Sequence, residues 1–255
     1  MEIRFPFSPL PRPALPIIGS DRLFPVHRVY CVGRNYAEHA REMGHDPSKE
    51  PPFFFQKNPD NLDPSGDFPY PPQSADVHHE VELAVALGSG GADIATEAAL
   101  GCVYGYAVAL DMTRRDLQDS AKRLSRPWEI AKAFERSAPI GPIVPAAGLG
   151  HPGRGAISLA VNGTVRQEGD LAQMIWKVPE MIAHLSGFFV LAPGDVILSG
   201  TPAGVGPVVR GDRLAAGVDG VVQQQHLLRH ISDPATPGSK IHVRKILPTD
   251  CHAPT

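Results

Sequence analysis

Two apolar runs in the first half of the chain carry acidic residues at regular positions. In the first run, residues 78–87 (HHEVELAVAL), an apolar side chain recurs at every second position from Val81 to Leu87. This alternation predicts a β-strand, in which residues i and i+2 point to the same face about 6.5 Å apart. Glu80 and Glu82 would then share one face, with the apolar side chains packed beneath. An antiparallel strand with one solvated face has the same alternation, so the run alone leaves both interpretations open.

The second run, residues 103–111 (VYGYAVALD), is apolar enough for a buried strand and ends on a charge, Asp111. Thr113 follows, and it predicts the N-cap of a helix over residues 114–124, with Asp116 completing a capping box. Asp111 therefore stands at a strand-to-helix turn, where it is either a ligand or an ordinary turn residue.

If the two strands are neighbours, Glu80, Glu82 and Asp111 form a set of hard oxygen donors. Such a set suits Mg²⁺, Mn²⁺ or Ca²⁺ better than zinc, and it leaves coordination positions free for water and substrate. The adjacent His78 and His79 offer a zinc alternative, but neighbouring residues of a strand face opposite ways and do not easily share one ion. The pattern favours a divalent metal site of the catalytic kind.

A third pattern, over residues 29–44, predicts a strand, a glycine turn and a short helix that Asn35 caps and Gly44 ends. His39 and Glu42 lie three residues apart on one face of this helix, where the carboxylate would hold the imidazole in one tautomer. The pair is a candidate general base for water. An ordinary surface pair on a solvated helix has the same spacing.

Taken together, these segments resemble the fumarylacetoacetate hydrolase superfamily over about residues 25–214. The segments that carry the resemblance are VGRNYAEH at 32–39, EVELA at 80–84, GYAVALDMTRRDLQ at 105–118, KAFERSAPIGP at 132–142 and PGDVILSGTPAGVG at 193–206. Several motifs in a fixed order are specific, whereas the E-x-E pair alone is weak. Residues 53–62, 78–87, 111–118 and 173–176 are most similar to the fumarylpyruvate hydrolases of gentisate breakdown. Departures from the pattern, at Ala131, Glu135 and Ser199, remove no ligand.

The resemblance implies the fold class and the organisation of the chain. We expect a β-rich α/β fold, a distorted β-sheet roll with flanking helices, in a protein that forms a homodimer. Residues 1–24 are then a proline-rich N-terminal segment and residues 25–214 the catalytic domain. Residues 215–255 form a tail of uncertain structure, because they match no segment of the superfamily.

The resemblance also implies a reaction. The substrate would be a 2,4-diketo acid, an acylpyruvate, which chelates Mg²⁺ or Mn²⁺ (or Ca²⁺) held by Glu80, Glu82 and Asp111. Water deprotonated by His39, itself oriented by Glu42, would attack the C4 carbonyl. Cleavage between C3 and C4 of fumarylpyruvate would release fumarate and the enolate of pyruvate, whose charge the metal stabilises.

Further site residues follow from the matched motifs. Lys132 would stabilise the oxyanion at C4 or hold a substrate carboxylate, and Gln118 and Thr201 match positions that contact substrate. Arg34 or Lys57 would meet the distal carboxylate of a fumaryl group, which needs a cation when it is desolvated. Without the family match, any single lysine or arginine is more simply a solvated surface charge.

Two alternative functions stay open at this stage. An oxaloacetate decarboxylase or another acylpyruvate hydrolase would use the same chelation of a 2-keto acid. A non-hydrolytic protein that binds a metal or ligand, or an isomerase-like relative, would use the same carboxylates without an oriented base. The pairing of His39 with Glu42 favours hydrolysis.

Composition narrows the class of protein. A net charge of −3 without a basic cluster argues against nucleic-acid binding. No run approaches the roughly 18 apolar residues of a membrane span, and the proline-containing first twenty residues do not read as a signal peptide. Cys31, Cys102 and Cys251 have no C-x-x-C spacing, which favours a reducing compartment and a cytoplasmic location.

Overall fold

The computed structural model describes residues 5–38, 51–221 and 227–233, and strands dominate these ranges. The strands are β1 (Ala14–Pro16), β2 (Leu23–Pro25), β3 (Val29–Gly33), β4 (Phe53–Lys57), β5 (Leu62–Asp63), β6 (Asp67–Pro69), β7 (Val77–His79), β8 (Val81–Leu87), β9 (Val103–Leu110), β10 (Thr113–Arg114), β11 (Ala138–Pro139), β12 (Val144–Pro145), β13 (Ala156–Val161), β14 (Thr164–Asp170), β15 (Val196–Leu198), β16 (Gly206–Val208), β17 (Arg213–Val218) and β18 (Leu227–Ser232). The α-helices are α1 (Thr96–Ala99), α2 (Arg115–Arg123), α3 (Glu129–Lys132), α4 (Ala146–Leu149) and α5 (Val178–Ser186), with short 3-10 helices at Pro59–Asn61, Leu100–Cys102 and Leu171–Gln173. The strand-rich α/β class predicted from the sequence is confirmed.

A six-stranded sheet of order β12-β9-β8-β15-β3-β4 forms the centre of the molecule. Its pairs are antiparallel except β15 with β3. Every residue of β8 is buried, so this strand has no solvated face. The interpretation of the first apolar run as a half-exposed surface strand is therefore excluded.

The two faces of β8 pack into different cores. The face with Val81, Leu83, Val85 and Leu87 joins the larger core, as the alternation predicts. The opposite face carries Ala84 and Ala86 and joins a smaller core together with residues of β1 and β2. Alanines on this face leave room for the N-terminal hairpin to cover the sheet.

A second sheet, of order β14-β13-β17-β18-β6, closes the larger core from the other side. Ile157 and Leu159 of β13 and Leu214 and Ala216 of β17 are buried in that core with the large side chains of β8. Strand β17 runs through residue 214, and β18 pairs with it farther along the chain. Residues beyond 214, which we predicted to form a tail of uncertain structure, thus supply strands of this sheet. The division of the chain at residues 24 and 214 stays a prediction.

The start of α2 differs from the prediction. Thr113 is paired with β7 in a short ladder, and its hydroxyl donates to the carbonyl of Asp111 at 3.2 Å. The Asp116 carboxylate accepts from the backbone N–H of Ala75 at 3.0 Å. The predicted Thr113–Asp116 capping box is therefore wrong, because strand pairing holds Thr113 in an extended conformation and shifts the helix start to Arg115.

Helix α5 has Pro179 in its first turn and Gly187 directly after its last residue, the positions that these two residue types favour. Among the described residues, no helix is long and apolar enough to cross a bilayer. Cys31 and Cys102 are both free thiols.

Candidate active site

Strand register brings the three predicted metal ligands together. Val81 of β8 pairs with Leu110 of β9, and the backbone N–H of Asp111 donates to the carbonyl of Glu80 at 2.8 Å. Glu80 and Asp111 are thus the next opposed pair, and Glu82 lies two residues along on the same face. One oxygen of each carboxylate lies within 4.8 Å of the others.

The three carboxylates of this cluster are buried together. Glu80, Glu82 and Asp111 are at most 5% exposed, so water does not screen their charges. Burial raises the pKa of Glu82 well above its ordinary value, and the charges of Asp111 and Glu80 raise it further. The backbone N–H of Gly200 donates to Glu82 Oε2 at 2.8 Å and opposes this shift only in part. An all-oxygen set of this kind fits a hard divalent ion.

Lys132, on α3, bridges two of the carboxylates. Its Nζ donates to Glu80 Oε2 at 2.8 Å and to Asp111 Oδ2 at 2.7 Å. Burial by itself lowers the pKa of Lys132, but the charges of Asp111 and Glu80 outweigh it and raise the pKa. The structure therefore holds a protonated lysine beside the predicted ligands.

Lys57 lies behind Asp111 and away from the cavity. Its Nζ is 2.9 Å from Asp111 Oδ1, contacts the carbonyl of Lys132, and donates to Ser137 Oγ at 3.0 Å. This lysine is 3% exposed and is not among the residues that line the cavity described below. Arg34, in contrast, lines that cavity and places its guanidinium 5.2 Å from the centre of the Phe53 ring.

Arg115 is a site residue that we did not single out from the sequence. Its Nη2 donates to Glu80 Oε1 at 2.5 Å and its Nη1 to Gln118 Oε1 at 2.6 Å. The arginine thus ties a predicted substrate contact to a predicted metal ligand. The spacing Arg115, Gln118, Lys122 follows one helix face at i, i+3 and i+7, a signal that was available in the sequence.

A glycine loop after β15 supplies the opposite wall. Gly200 has φ +91°, and a Cβ there would lie 2.8 Å from Cβ of Asn35, so the position requires glycine. The Asn35 amide also donates to the carbonyl of Ser199 at 2.8 Å and holds the loop. Thr201, the predicted substrate contact, accepts a hydrogen bond at 2.8 Å from the amide of the fully buried Gln167.

The adjacent histidines face different partners. His78 Nε2 lies 2.9 Å from Asp76 Oδ1, and His79 Nδ1 lies 2.9 Å from Gln167 Oε1. In the part of the chain that the structure describes, neither joins a cluster of metal-ligating groups, so the zinc alternative gains no support. His39 and Glu42, and the helix end at Gly44, lie outside the described residues, and the general base stays a prediction.

The carboxylates open into a cavity of about 420 Å³, a volume that includes solvent at its open side. It is lined by Val32, Gly33, Arg34, Phe53, Phe55, Glu80, Glu82, Asp111, Arg115, Gln118, Lys122, Trp128, Lys132, Gly200 and Thr201. Acidic groups meet cations, amide and hydroxyl groups, and aromatic rings in one space. This arrangement can hold a metal ion, an anionic substrate and an unsaturated chain.

Comparison with known proteins gives a consistent picture. The family described as fumarylacetoacetate (FAA) hydrolase C-terminal matches residues 28–231. The structure of fumarylpyruvate hydrolase from Pseudomonas aeruginosa, in complex with Mn²⁺ and pyruvate, is 51% identical, with a TM-score of 0.88 over 90% of this chain and 100% of that one. A putative fumarylpyruvate hydrolase from Burkholderia cenocepacia is 47% identical, with a TM-score of 0.85 over 91% and 100% of the two chains. Oxaloacetate tautomerase YcgM of Escherichia coli is 44% identical over 77% of this chain and 90% of its own length.

Proposed function

Because the chain belongs to the fumarylacetoacetate hydrolase family, we propose that it is a divalent-metal-dependent hydrolase that cleaves the C–C bond of a 2,4-diketo acid, with fumarylpyruvate as substrate. One observation carries the proposal. Three buried carboxylates, Glu80, Glu82 and Asp111, open into a cavity that also presents Lys132 and Arg115. Such a site can neutralise both a metal-chelating keto acid and the charge that develops on cleavage.

Glu80, Glu82 and Asp111 would hold Mg²⁺ or Mn²⁺, with Ca²⁺ as a substitute. When bound, the metal supplies a Lewis acid that holds the 2-keto acid end of the substrate and stabilises negative charge on its oxygen. The support for this set is the all-oxygen chemistry and the raised pKa of Glu82, which burial and its acidic neighbours cause. The Mn²⁺ in the Pseudomonas aeruginosa structure is in keeping with the same donor chemistry.

The surrounding residues would orient and stabilise the substrate. Lys132 carries a proton on Nζ at the edge of the carboxylates and would donate it in a hydrogen bond to the oxygen where charge develops. Gln118 and Thr201, on opposite walls, would fix the diketo acid by hydrogen bonds. His39, oriented by Glu42, would take the proton of the attacking water.

Oxaloacetate tautomerase activity is the second candidate, and the names of curated relatives favour it. The Escherichia coli relative and the mitochondrial FAHD1 of Arabidopsis thaliana, 42% identical over 78% of this chain, both carry that name. Interconversion of keto and enol forms needs the same binding of a 2-keto acid but no cleavage. Hydrolysis stands first because the named hydrolase is more similar and spans more of the chain.

The test is the loss of the ultraviolet absorbance of fumarylpyruvate, measured with Mg²⁺, with Mn²⁺ and with EDTA. We expect metal-dependent turnover to fumarate and pyruvate, abolished in Glu82→Gln and retained in the matched control Glu97→Gln, an exposed acid of α1. Binding of Mn²⁺, followed by the paramagnetic resonance signal of the free ion, separates loss of the site from loss of chemistry. Acceleration of oxaloacetate enol–keto exchange, without cleavage of fumarylpyruvate, would establish the second candidate instead.

Three further expectations belong to the same proposal. The partner is a small-molecule diketo acid and not a nucleic acid or a membrane. The protein works as a homodimer in the cytoplasm. We expect the reaction to be a step in the breakdown of aromatic compounds, where ring cleavage produces diketo acids.

A further inference from the structure

One cation of the cavity has no part in the proposed chemistry. Lys122 lies on α2, on the face that also carries Arg115 and Gln118. Seven residues separate it from Arg115, about 10 Å along the helix axis. Side-chain exposure rises from 9% at Arg115 to 26% at Lys122, so α2 runs from the carboxylates toward the mouth of the cavity.

Lys122 is held at the mouth by an aromatic wall. Its Nζ lies 5.7 Å from the centre of the Trp128 ring, and that ring packs edge-on against Phe53 at 5.6 Å. Arg34 places its guanidinium 5.2 Å from the centre of Phe53. Each of the two rings thus has a cation near it, an arrangement that suits a flat unsaturated chain ending in an anion.

The ion pair between Lys122 and Asp119 is long and partly solvated. Asp119 Oδ1 lies 3.6 Å from Nζ, and the Asp119 side chain is 51% exposed on the outside of the helix. Solvated pairs of this kind contribute little. Burial lowers the pKa of Lys122 and the charge of Arg115 adds to the effect, while Asp119 opposes it. A partly buried ammonium with one solvated acidic partner can accept a further anion.

The acids that line the cavity, among the described residues, are all at its inner end. They are Glu80, Glu82 and Asp111, and each contacts a cation or a backbone N–H there. Lys122 and Arg34 add two cations to the lining of the same cavity, beside Arg115 and Lys132. Among the described lining residues, four cations therefore face three acids, which favours an anionic substrate.

We propose that Lys122 is a specificity residue, whose ammonium, held on the ring of Trp128, binds a carboxylate at the far end of the substrate's acyl group. The inference rests on the proposed function, because it takes the keto acid end of the substrate to lie at the carboxylates. It names the residue that would select acylpyruvates with an anionic acyl tail over neutral ones. The sequence predicted Lys57 or Arg34 for this role; Lys57 is held against Asp111, and Arg34 lines the cavity beside Phe53.

The test compares two substrates with one diketo acid head. Fumarylpyruvate has a carboxylate on its acyl group, and acetylpyruvate has a methyl group there. In Lys122→Met we expect kcat/KM for fumarylpyruvate to fall about 10- to 100-fold, mostly through KM, because a charge-assisted hydrogen bond is lost. For acetylpyruvate we expect a change of less than about twofold. Lys122→Arg should restore most of the activity on fumarylpyruvate.

Arg123→Met is the matched control, since Arg123 is the next residue of α2, carries the same charge and is exposed. It should leave both substrates unchanged. Equal losses on the two substrates in Lys122→Met, or no loss on either, would overturn the inference. An unchanged thermal midpoint of Lys122→Met excludes a folding defect.

A second readout separates this inference from the proposed function. If the parent protein turns over neither diketo acid, the proposed hydrolysis fails, and binding of fumarate then decides the role of Lys122. Fumarate should shift the fluorescence of Trp128, and the apparent Kd should rise at least about tenfold in Lys122→Met but not in Arg123→Met. Equal fumarate affinity in the parent and in Lys122→Met would refute the assignment.

Discussion

Two buried acidic sites of this protein, Asp195 and the candidate active site, differ in the number of carboxylates that they bring together. Asp195 is fully buried, and its oxygens lie 2.7 Å from His27 Nδ1 and 3.2 Å from Arg28 Nη2, while the N–H of Ala192 donates to it at 2.9 Å. One carboxylate there has an ample supply of donors. Burial by itself therefore does not mark a functional acid, whereas several buried carboxylates within reach of one ion do.

At the candidate active site, three carboxylates lie together, and Lys57, Lys132 and Arg115 contact two of them, Glu80 and Asp111. Glu82 instead accepts a hydrogen bond from the backbone N–H of Gly200. Burial and the neighbouring acids raise the pKa of Glu82. Three buried carboxylates this close together, one of them with a raised pKa, are typical of a metal site and not of an ion pair that only stabilises the fold.

The largest contrast is in activity. Glu82→Gln removes a proposed metal ligand and should lower kcat/KM for fumarylpyruvate by more than about 100-fold, since even residues behind metal ligands contribute 10- to 100-fold. Asp195→Asn should keep turnover per folded molecule close to that of the parent. Steady-state kinetics on the two purified variants decide this, and a fully active Glu82→Gln protein would remove Glu82 from the metal site.

Mn²⁺ should stabilise the protein through the candidate active site and not through Asp195. Mn²⁺ at 100 times its Kd should raise the free energy of unfolding by about 2.7 kcal/mol, or the thermal midpoint by about 5–10 °C. The increase should vanish in Glu82→Gln and persist in Asp195→Asn. Thermal unfolding with and without EDTA measures both, and an equal shift in the parent and in Glu82→Gln would contradict the proposed ligand set.

In metal-free protein, Asp195→Asn should lower the free energy of unfolding more than Glu82→Gln does. Asp195→Asn weakens the bonds to His27 and Arg28 and should cost about 2 kcal/mol, because the partners of a buried carboxylate lose a charged acceptor. Glu82→Gln replaces a buried carboxyl group whose ionisation is unfavourable in the folded state, and it should cost nothing or stabilise. Urea unfolding in EDTA compares the variants, and a greater loss in Glu82→Gln than in Asp195→Asn would reverse our view of the two sites.

The smallest expected difference is in how the free energy of unfolding depends on pH. The pKa of Glu82 in the folded state is raised above its ordinary value of 4.5, so the folded protein keeps a proton that the unfolded chain has lost. The contribution of Glu82 to the stability of metal-free protein should therefore fall as pH rises above about 4.5. Unfolding free energies of the parent and of Glu82→Gln, compared from pH 5 to 8, should diverge in favour of the variant, and a constant difference would disprove the shift.

The sequence anticipated the strand elements of the site better than its helix start. Alternation placed Glu80 and Glu82 on one face of β8, because a strand's geometry relates residues i and i+2 without any other information. The Thr113 cap failed because a local capping preference was weaker than pairing with β7 across 35 residues of chain, as the partnership of Thr113 with His78 shows.

Other site residues needed the folded chain. Arg115 was visible inside a matched motif, yet its bond to Glu80 depends on how α2 packs beside β8. Lys57 was taken for a substrate contact, and its position behind Asp111 follows from strand β4 pairing at the sheet edge. Neither position can be read from local spacing.

The sequence by itself determined the apolar periodicity of β8 and β9, the acidic positions at their ends and the family to which the chain belongs. These are properties of local geometry and of motif order, which do not depend on distant contacts. Only the tertiary structure decided which cations meet the carboxylates and which line the mouth of the cavity. Lys132 and Lys122 are ten residues apart on neighbouring helices, and packing alone turns one toward Asp111 and the other toward the ring of Trp128.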